Sequence, residues 1–173
     1  IAARPLEVFA TAEASVRAAG YESIQLGTAL EGEARDVAAA HARTALKLRA
    51  AGRRAVILSG GELTVTLRGH GRGGPNQEYA LALAIALGGT PGVAALAADT
   101  DGTDGGGGGA EDPAGAFIDG TTLERARRRG LDPAAFLADN NSTEFFEKLG
   151  DTLAPGPTCT NVNDFRAILV DSP

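Results

Sequence analysis

The sequence predicts an α/β fold in which helices cover both faces of a mixed, largely parallel sheet. Two observations carry this prediction. Short apolar runs of strand length alternate along the chain with segments of helical periodicity. Several of these helical segments are ten residues or longer, which is typical of connections between parallel strands. Ligands in such sheets bind beyond the carboxyl ends of the strands, so we expect the chemistry there.

Helical periodicity and end signals define the helices. The predicted helices are residues 4–19, 31–50, 75–87, 121–129, 133–138 and 143–149. The second has Glu31 and Glu33 in its first turn and Lys47 and Arg49 in its last. This order of charges complements the helix macrodipole and supports the assignment. Pro75 opens the third helix, where the fixed φ of proline is favourable.

Apolar runs of strand length lie between these helices. The predicted strands are residues 23–26, 54–58, 63–68, 93–98, 116–118 and 167–170. Runs that are almost wholly apolar are typical of strands buried on both faces. Residues 63–68 differ because threonines alternate with apolar residues, which is the pattern of a strand with one face in water.

Composition and charge exclude several classes of protein. Hydrophobic residues make up 43% of the 173 residues and charged residues 22%, as in an ordinary globular domain. The net charge of -6 argues against nucleic acid as a partner, because phosphate backbones are bound by basic surfaces. No apolar run approaches the roughly 18–20 residues of a spanning helix, so we expect no membrane partner. The single cysteine, Cys159, cannot form an internal disulfide, and we predict a reducing, cytoplasmic location.

A glycine-rich segment before the third helix matches the pattern G-x-G-x-x-G at Gly69, Gly71 and Gly74. Glycines let backbone N–H groups approach a phosphate, and the helix N-terminus that follows adds partial positive charge. The next strand is followed by an acid, Asp99, as in dinucleotide sites. Three interpretations stay open at this point: a phosphate-binding loop, the dinucleotide site of a reductase, and a plain glycine turn.

Three carboxylates, those of Asp99, Asp101 and Asp104, directly follow the strand at residues 93–98. Carboxylates this close in sequence repel one another unless a cation offsets their charge. In nucleotide sites Mg²⁺ takes one or two carboxylates and completes its coordination with phosphate oxygens and water. The segment is therefore either a metal-binding loop or a solvated loop built from Asx turns.

A second polar loop, residues 156–164, precedes the last strand. Its short hydrogen-bonding side chains are Thr158, Thr160, Asn161, Asn163 and Asp164. They either satisfy the loop's own backbone or present hydrogen bonds to a small polar ligand. Cys159 lies in the same loop, but no cation stands beside it in the sequence to activate its thiol, so we do not expect a catalytic cysteine.

Polar residues around the glycine segment complete the candidate site. Arg72 is a natural partner for a phosphate or carboxylate, which a guanidinium group binds through paired hydrogen bonds. Glu62 precedes the segment, and Asn76 and Gln77 open the helix after it. His41 lies in the middle of a helix, where we expect it to be structural.

Four blocks of the sequence together resemble a known family. They are, in order, ILSGGELTVTLRGHGRGGPNQEYALALA, AADTDGTDG, AGAFIDGTT and GPTCTNVNDFRAIL. They resemble the C-terminal part of the type-2 glycerate kinases, called the MOFRL domain, whose members are also often labelled hydroxypyruvate reductases. The resemblance covers roughly residues 54–170. Where the family commonly shows GGRNQE this chain has GGPNQE, with Pro75 in the position of the arginine.

The resemblance implies an enzyme that uses ATP and Mg²⁺ to phosphorylate the 2-hydroxyl of D-glycerate in a cleft between two domains. It assigns residues 1–52 to the end of a preceding Rossmann-like N-terminal domain and residues 53–173 to a MOFRL-like domain. The chain begins at Ile1 and contains no methionine, so we expect a piece of a longer protein. Its partner would be the missing N-terminal domain, and the piece alone would turn over little. A homodimer stays open.

These residues and the resemblance together predict the following site. Arg72 and Asp101 are catalytic, and Asp99, Asp101 and Asp104 bind the metal. Glycerate or nucleotide is bound by Ser59, Gly60, Gly61, Glu62, Gly73, Gly74, Asn76, Gln77, Thr158, Thr160, Asn161, Asn163 and Asp164. Two alternatives are an NAD(P)H-dependent hydroxypyruvate reductase and a non-catalytic fragment that binds a metabolite.

Overall fold

A computed structural model of the chain describes residues 5–105 and 111–171. The helices are α1 Pro5–Ala18, α2 Ala34–Ala50, α3 Pro75–Leu87, α4 Thr122–Arg128, α5 Pro133–Ala138 and α6 Ser142–Leu149. The strands are β1 Glu22–Gly27, β2 Ala55–Gly60, β3 Val93–Asp99, β4 Gly115–Asp119, β5 Thr152–Leu153 and β6 Asp164–Val170. The predicted α/β fold is confirmed. Residues 1–4, 106–110 and 172–173 of the predicted domains lie outside the described residues.

The strands form one mixed sheet in the order β1-β2-β6-β3-β4-β5. Strands β1 and β2 are parallel, whereas the other neighbouring pairs are antiparallel. The mixed sheet is as predicted, but the expectation that it would be largely parallel is wrong. The reason is that β6, from the end of the chain, lies between β2 and β3 and runs against both. Which strand fills that place is decided by tertiary pairing.

Residues 63–68, predicted as a strand, form no ladder and contribute one isolated bridge, between Glu33 and Thr64. Thr66 instead donates its backbone N–H and its hydroxyl to the two carboxylate oxygens of Glu33, at 3.1 and 2.9 Å. A side chain thus takes the hydrogen bond that a neighbouring strand would have made. The short strand β5 was not predicted, because two residues are too few to show the alternation of polar and apolar side chains that marks a strand.

One face of the sheet carries the main core. Helix α3 is buried on all sides, with Tyr79, Leu81 and Leu83 at 0% exposure, because α2, α4, α5 and α6 all pack against it above the sheet. Its uniformly apolar sequence follows from that position. The opposite face is covered only in part, by α1, whose Phe9 ring lies 5.3 Å from the ring of Phe165 on β6. Helices therefore flank both faces, as predicted.

The segments on both sides of the predicted domain boundary at residues 52 and 53 share one sheet and one core. Strand β1 pairs with β2 across it, and α2 packs against α3. Ala38, Ala42 and Ala45 of α2 belong to the same buried cluster as α3. The assignment of residues 1–52 to a preceding domain stays a prediction. Among the described residues, no helix has the length and apolarity needed to cross a membrane.

Candidate functional site

The carboxyl ends of β2 and β3 meet the amino end of β6 at one edge of the sheet, which we call the polar edge. Gly60, at the end of β2, pairs with Phe165. Asp99, at the end of β3, pairs with Asp164. The rule that strand ends collect functional residues thus brings together three segments that are far apart in the sequence. The polar edge is formed by residues 59–62, 99–104, 164 and 166.

Arg166 is the largest buried polar side chain at this edge, with 1% of its surface exposed. Its Nη2 donates to Asp164 Oδ2 at 2.7 Å and to the carbonyl of Gly61 at 2.5 Å. The arginine and Asp164 lie on the same buried face of β6 because side chains two residues apart share a face. Sequence reasoning missed Arg166 by starting the last strand after it. The available signal was the alternation Asp164, Arg166, Ile168.

Asp104 is separated from the other two acids of its loop by its hydrogen bonds. Its carboxylate accepts the backbone N–H groups of Asn76 and Gln77, at 2.9 and 2.8 Å. The side-chain amides of the same two residues donate to it at 3.1 Å. Asp104 therefore caps the N-terminus of α3. Burial outweighs these donors and raises the pKa of its carboxyl to about 6.

Asp99 and Asp101 stay at the outer part of the polar edge, where both are half-buried. Asp99 Oδ1 accepts the N–H of Asp101 at 3.0 Å, and Asp101 Oδ1 accepts that of Thr103 at 2.9 Å. Burial, and then the nearby carboxylates of Asp101 and Asp164, raise the pKa of Asp99. Nowhere in residues 5–105 and 111–171 do three or more carboxylate, histidine or cysteine side chains group as ligands for a metal ion. The predicted triad of Asp99, Asp101 and Asp104 is thus not one cluster.

The glycine loop, residues 69–74, lies against residues 139–143, which we call the clamp segment. Asn140 Oδ1 accepts the N–H groups of Arg68 and Gly69 at 2.7 and 3.0 Å. The N–H of Gly71 donates to the carbonyl of Asp139 at 2.9 Å. The N–H groups of residues 70 and 72 donate to the side chains of residues 139 and 141. The backbone N–H groups of residues 69–72 are thus already bound within the protein.

Close packing explains the glycines of this loop. A Cβ on Gly69 would lie 2.4 Å from the Cα of Asp139, and one on Gly71 would lie 2.2 Å from the Cβ of Asn141. A Cβ on Gly74 would lie 2.1 Å from the carbonyl oxygen of Asp104. The G-x-G-x-x-G spacing is therefore required by packing. Among the three interpretations of this segment, the structure favours the glycine turn.

Asn140 is the centre of the clamp and was missed by sequence reasoning. It is 3% exposed and has a positive φ of 52°, which asparagine tolerates better than most residues. Its Nδ2 donates to Glu78 Oε2 at 2.9 Å, and Glu78 also binds Arg35 at 2.6 Å. The clamp thus connects the glycine loop to α2 and α3. The sequence Asn140-Asn141 between two helices was the available turn signal.

The remaining residues singled out in the sequence lie on the glycine loop, at the end of β2 and within α2. Arg72 is exposed and forms an ion pair with Glu147 of α6 at 2.8 Å. Ser59 is buried, whereas Glu62 is exposed at the polar edge. Burial, and then the charge of Arg166, lower the pKa of His41 to about 4. His41 contacts the hydroxyl of Tyr79 at 2.8 Å, which fits the structural role expected for it.

The glycines that end β2 are also required by packing. A Cβ on Gly60 would lie 2.7 Å from the ring of Phe9. Gly61 has a φ of +97°, and its Cβ would lie 2.1 Å from the backbone nitrogen of Leu30. Leu30 in turn donates its N–H to the carbonyl of Gly60 at 2.9 Å. These glycines fix the course of the chain at the polar edge.

The loop at residues 156–164 holds the acidic loop, residues 99–104, in place. Thr158 donates its N–H to the carbonyl of Asp101 at 3.0 Å and its hydroxyl to the carbonyl of Thr100 at 2.5 Å. Thr100 donates its own hydroxyl to the carbonyl of Asn163 at 2.8 Å. Asn161 uses its side-chain oxygen within the loop, accepting the N–H of Asn163 at 3.0 Å. Thr160 and Asn161 are exposed.

The fold and the polar edge define an α/β domain with a mixed six-stranded sheet. The profile of the MOFRL family matches residues 55–164. The chain belongs to the MOFRL family. Two of the blocks that carried the resemblance, AADTDGTDG and AGAFIDGTT, lie within the matched residues.

Several glycerate kinases are similar to this chain. It is 40% identical over 149 residues to a D-glycerate 2-kinase of Thermotoga maritima, covering 84% of this chain and 35% of that protein. A crystal structure of a glycerate kinase from Thermotoga maritima superimposes with a TM-score of 0.90 at 36% identity, covering 96% of this chain and 40% of the other. A protein of Agrobacterium vitis with a provisional hydroxypyruvate reductase name is 46% identical over 176 residues, with 98% of this chain and 39% of that protein covered. The chain thus spans about two fifths of the length of these relatives.

Proposed function

We propose that this chain is the C-terminal part of a D-glycerate 2-kinase, which transfers the γ-phosphate of ATP to the 2-hydroxyl of D-glycerate. The observation that carries the proposal is the polar edge, in a fold that superimposes on a glycerate kinase with a TM-score of 0.90. In the reaction the 2-hydroxyl oxygen bonds to the γ-phosphorus, the bond from that phosphorus to the β–γ bridging oxygen breaks, and the hydroxyl proton is released. The products are ADP and 2-phosphoglycerate.

The polar edge suits phosphoryl transfer, which needs groups that position the reactants and balance charge more than it needs covalent chemistry. Arg166 binds Asp164 and the carbonyl of Gly61, so it fixes the end of β2 relative to the end of β6. Asp99 and Asp101 face outward at the same edge. The loop at residues 156–164 binds the backbone carbonyls of residues 100 and 101 and so positions this part of the acidic loop toward a reactant.

Asp99 and Asp101 are the residues that would hold Mg²⁺. Burial and the neighbouring carboxylates raise the pKa of Asp99, so a cation here would relieve an unfavourable concentration of negative charge. One or two carboxylates suffice for Mg²⁺, since phosphate oxygens and water complete its coordination. The ion would supply neutralisation of phosphate charge. Asp104 takes no part in this proposal, because its carboxylate caps α3.

Arg72 and Asp101 are the catalytic residues of this proposal. Arg72 is exposed on the glycine loop, and its partner Glu147 is also exposed. An exposed ion pair is weak, so a phosphate or carboxylate of the reactants can replace Glu147 as the partner of the guanidinium group. The hydroxypyruvate reductase alternative has less support. That alternative came from the dinucleotide motif, and the N–H groups at the start of this motif donate to the clamp segment.

The test is a coupled assay on the longer protein that contains this chain. We expect ADP to form only when D-glycerate, ATP and Mg²⁺ are all present, with 2-phosphoglycerate as the second product. Oxidation of NAD(P)H by hydroxypyruvate without ADP formation would overturn the proposal. The 173-residue chain alone is the matched control, for which we expect little or no turnover.

A further inference from the structure

The face of the sheet opposite α3 is only partly covered. Helix α1 lies beside β1, and its Phe9 lies against Gly60 and Phe165. Next to α1, the side chains that point to this face are apolar and stay partly exposed. We call this surface the open sheet face. It is formed by Val56, Ala94, Leu96, Phe117, Ala167 and Leu169.

Strand pairing makes these residues one continuous surface, because residues directly opposite each other on neighbouring strands share a face. Leu169 on β6 lies opposite Ala94 on β3. Leu96 on β3 lies between Ala167 on β6 and Phe117 on β4. The ring of Phe117 is large, and 43% of this residue is exposed. A contiguous exposed apolar surface of this kind marks a place where another part of a protein packs.

Two cavities on this face share β6 as part of their lining. The first, of about 440 Å³, lies between α1 and Phe165 and is bounded by Val8, Ala12 and Ser15 of α1. These three residues have helical spacing, so they lie on one side of α1. The second cavity, of about 360 Å³, lies over the open sheet face. Together the cavities form a slot with α1 as its wall and the sheet as its floor, and a second helix beside α1 would fill it.

The charged groups at the rim of this slot bind one another. Arg125 and Asp151 both line the second cavity, and the guanidinium group donates to the two carboxylate oxygens at 2.9 and 2.6 Å. Arg125 also lies 3.8 Å from Asp119. The occupant therefore needs an apolar side and no matching charge. Sheets of α/β domains are covered by helices with one apolar side, so an amphipathic helix has the required chemistry.

The relatives of this chain provide a source for such a helix. The chain covers 39% of the relative from Agrobacterium vitis and 40% of the solved glycerate kinase chain. About three fifths of such a protein thus lies outside the matched part. If this chain is the C-terminal part, the remainder joins it through α1, which lies on the face in question. A segment tethered there has a high effective concentration at the slot, which favours it over a separate molecule.

We propose that, in the longer protein, an amphipathic helix from the part that precedes this chain covers the open sheet face. This inference rests on the proposed function, which makes the chain the C-terminal part of its protein. The helix lies in the slot beside α1 with its apolar side on Leu96, Phe117 and Leu169. Residues 165–169 of β6 extend over roughly 13 Å, so the helix has at least about nine residues in contact. This contact is separate from the polar edge, because it lies on the side of the sheet and not at the strand ends.

The test measures how fast a thiol on the open sheet face reacts in the longer protein. Phe117→Cys is made in a Cys159→Ser background, and mass spectrometry of the peptide that contains residue 117 follows its alkylation. Arg127→Cys in the same background is the matched control, because the Arg127 side chain is 75% exposed on α4, which packs on the other side of the sheet. We expect residue 117 to react at least a hundredfold more slowly than residue 127.

Two results would overturn the proposal. One is alkylation of Phe117→Cys in the longer protein at a rate within tenfold of that of Arg127→Cys. The other is protection of residue 117 that disappears when the longer protein is diluted from a dimer to a monomer, since a second copy would then be the occupant. In the 173-residue chain we expect the two positions to react at similar rates, because the helix is absent.

Phe117→Lys gives an independent measurement in the longer protein. An ammonium group at this position is tolerated on an open surface but costs free energy under a helix. We therefore expect the Tm to fall by at least about 5 °C. Ala134→Lys is the matched control, since Ala134 is exposed on α5, on the other side of the sheet, and should leave the Tm unchanged. Equal Tm values for the two variants would contradict the proposed helix.

These measurements do not depend on enzymatic activity, so they separate this inference from the proposed function. If the longer protein phosphorylates D-glycerate but residue 117 reacts as fast as residue 127, the helix assignment is wrong and the kinase proposal stands. If residue 117 is protected in the monomer but no ADP forms with D-glycerate, the kinase proposal is wrong and the covered sheet face stands.

Discussion

The glycine loop and the start of the acidic loop are both polar segments close to one edge of the sheet, yet they use their polar groups differently. In the glycine loop, the N–H groups of Gly69 and Gly71 donate to the clamp segment. In the acidic loop, Asp99 accepts the N–H of Asp101, and Asp101 accepts the N–H of Thr103, but both carboxylates remain half-exposed. This difference shows that a polar group already hydrogen-bonded within the protein stabilises the fold, whereas a partly exposed carboxylate can still bind a ligand.

The same contrast runs through the acidic loop itself. Asp104 accepts four hydrogen bonds from the first residues of α3, and its neighbours at residues 99 and 101 do not share them. Three acids that look equivalent in sequence therefore divide into one structural cap and two candidate ligands. Substitutions should separate the two groups, because the cap affects stability and the ligands affect activity.

The largest expected effect is on activity. Asp101→Asn in the longer protein should lower kcat/KM for D-glycerate by ten- to a thousand-fold, which is about 1.4–4 kcal/mol of transition-state stabilisation. The unliganded variant should be as stable as the native protein or slightly more so, because one repulsion is removed. Asp36→Asn, on the exposed side of α2, is the control and should change neither quantity. Normal kinetics with a clearly reduced Tm would show that Asp101 is structural.

Asn140→Ala should give the largest loss of stability, about 2–3 kcal/mol. It leaves the N–H groups of Arg68 and Gly69 and one oxygen of Glu78 without their partner. Urea unfolding of the 173-residue chain measures it. Asn140→Gly removes the same hydrogen bonds but adapts to the positive φ without strain. Its loss of stability should be nearly as large, because the lost hydrogen bonds account for most of the effect.

The exposed Asn161 supplies the control for this clamp substitution. Asn161→Ala removes one hydrogen bond at the surface, so it should cost less than about 1 kcal/mol. Equal losses in Asn140→Ala and Asn161→Ala would mean that the clamp does not hold the glycine loop.

Asp104 should give the chain a pH-dependent stability of unusual sign for a carboxyl group. Burial raises its pKa from 3.8 to about 6, so the folded protein holds the proton more tightly than the unfolded chain does. This contribution is fully present below pH 3.8 and is lost as the pH rises through about 6. The measurement is the Tm of the native chain minus the Tm of Asp104→Asn, recorded from pH 3.5 to pH 7. We expect this difference to fall as the pH rises, because the native chain loses the stability that the proton on Asp104 contributes. A difference that does not change with pH would contradict the assignment.

Arg72→Ala should have the smallest effect on stability, within about 0.5 kcal/mol, because exposed ion pairs contribute little. Its partner Glu147 is exposed as well. The same variant in the longer protein should lower kcat/KM if Arg72 binds a reactant. A stability loss above about 1 kcal/mol would place Arg72 with the structural group of the glycine loop.

Much of the fold could be predicted from local pattern. Helix α3 was bounded correctly because its apolar run begins at Pro75 and ends before Gly88, and these end signals are local. The α5 bounds were also correct, since Asp132 caps the helix by accepting N–H groups of residues 134 and 135. The strand predicted at residues 63–68 was wrong. Thr66 in this segment binds the side chain of Glu33, which lies far away in sequence, and the segment pairs with no described strand.

The candidate site was predictable only in part. The positions of Asp99 and Asp164 at one edge follow from a strand ending and a strand beginning, which the sequence indicates. Arg166 and Asn140 were missed because their importance depends on burial and because each has a partner more than 60 residues away. Their sequence neighbours give no sign of those partners.

The sequence by itself determined the helices, most of the strands, the acidic and glycine-rich loops and the resemblance to a family, since each depends on neighbouring residues. Tertiary structure alone decided that β6 runs antiparallel between β2 and β3, and that Asp104 binds α3 rather than joining Asp99 and Asp101. The physical reason is that a backbone N–H or a carboxylate is available to a ligand only if no other part of the folded chain binds it first. That competition is settled by contacts between residues distant in sequence.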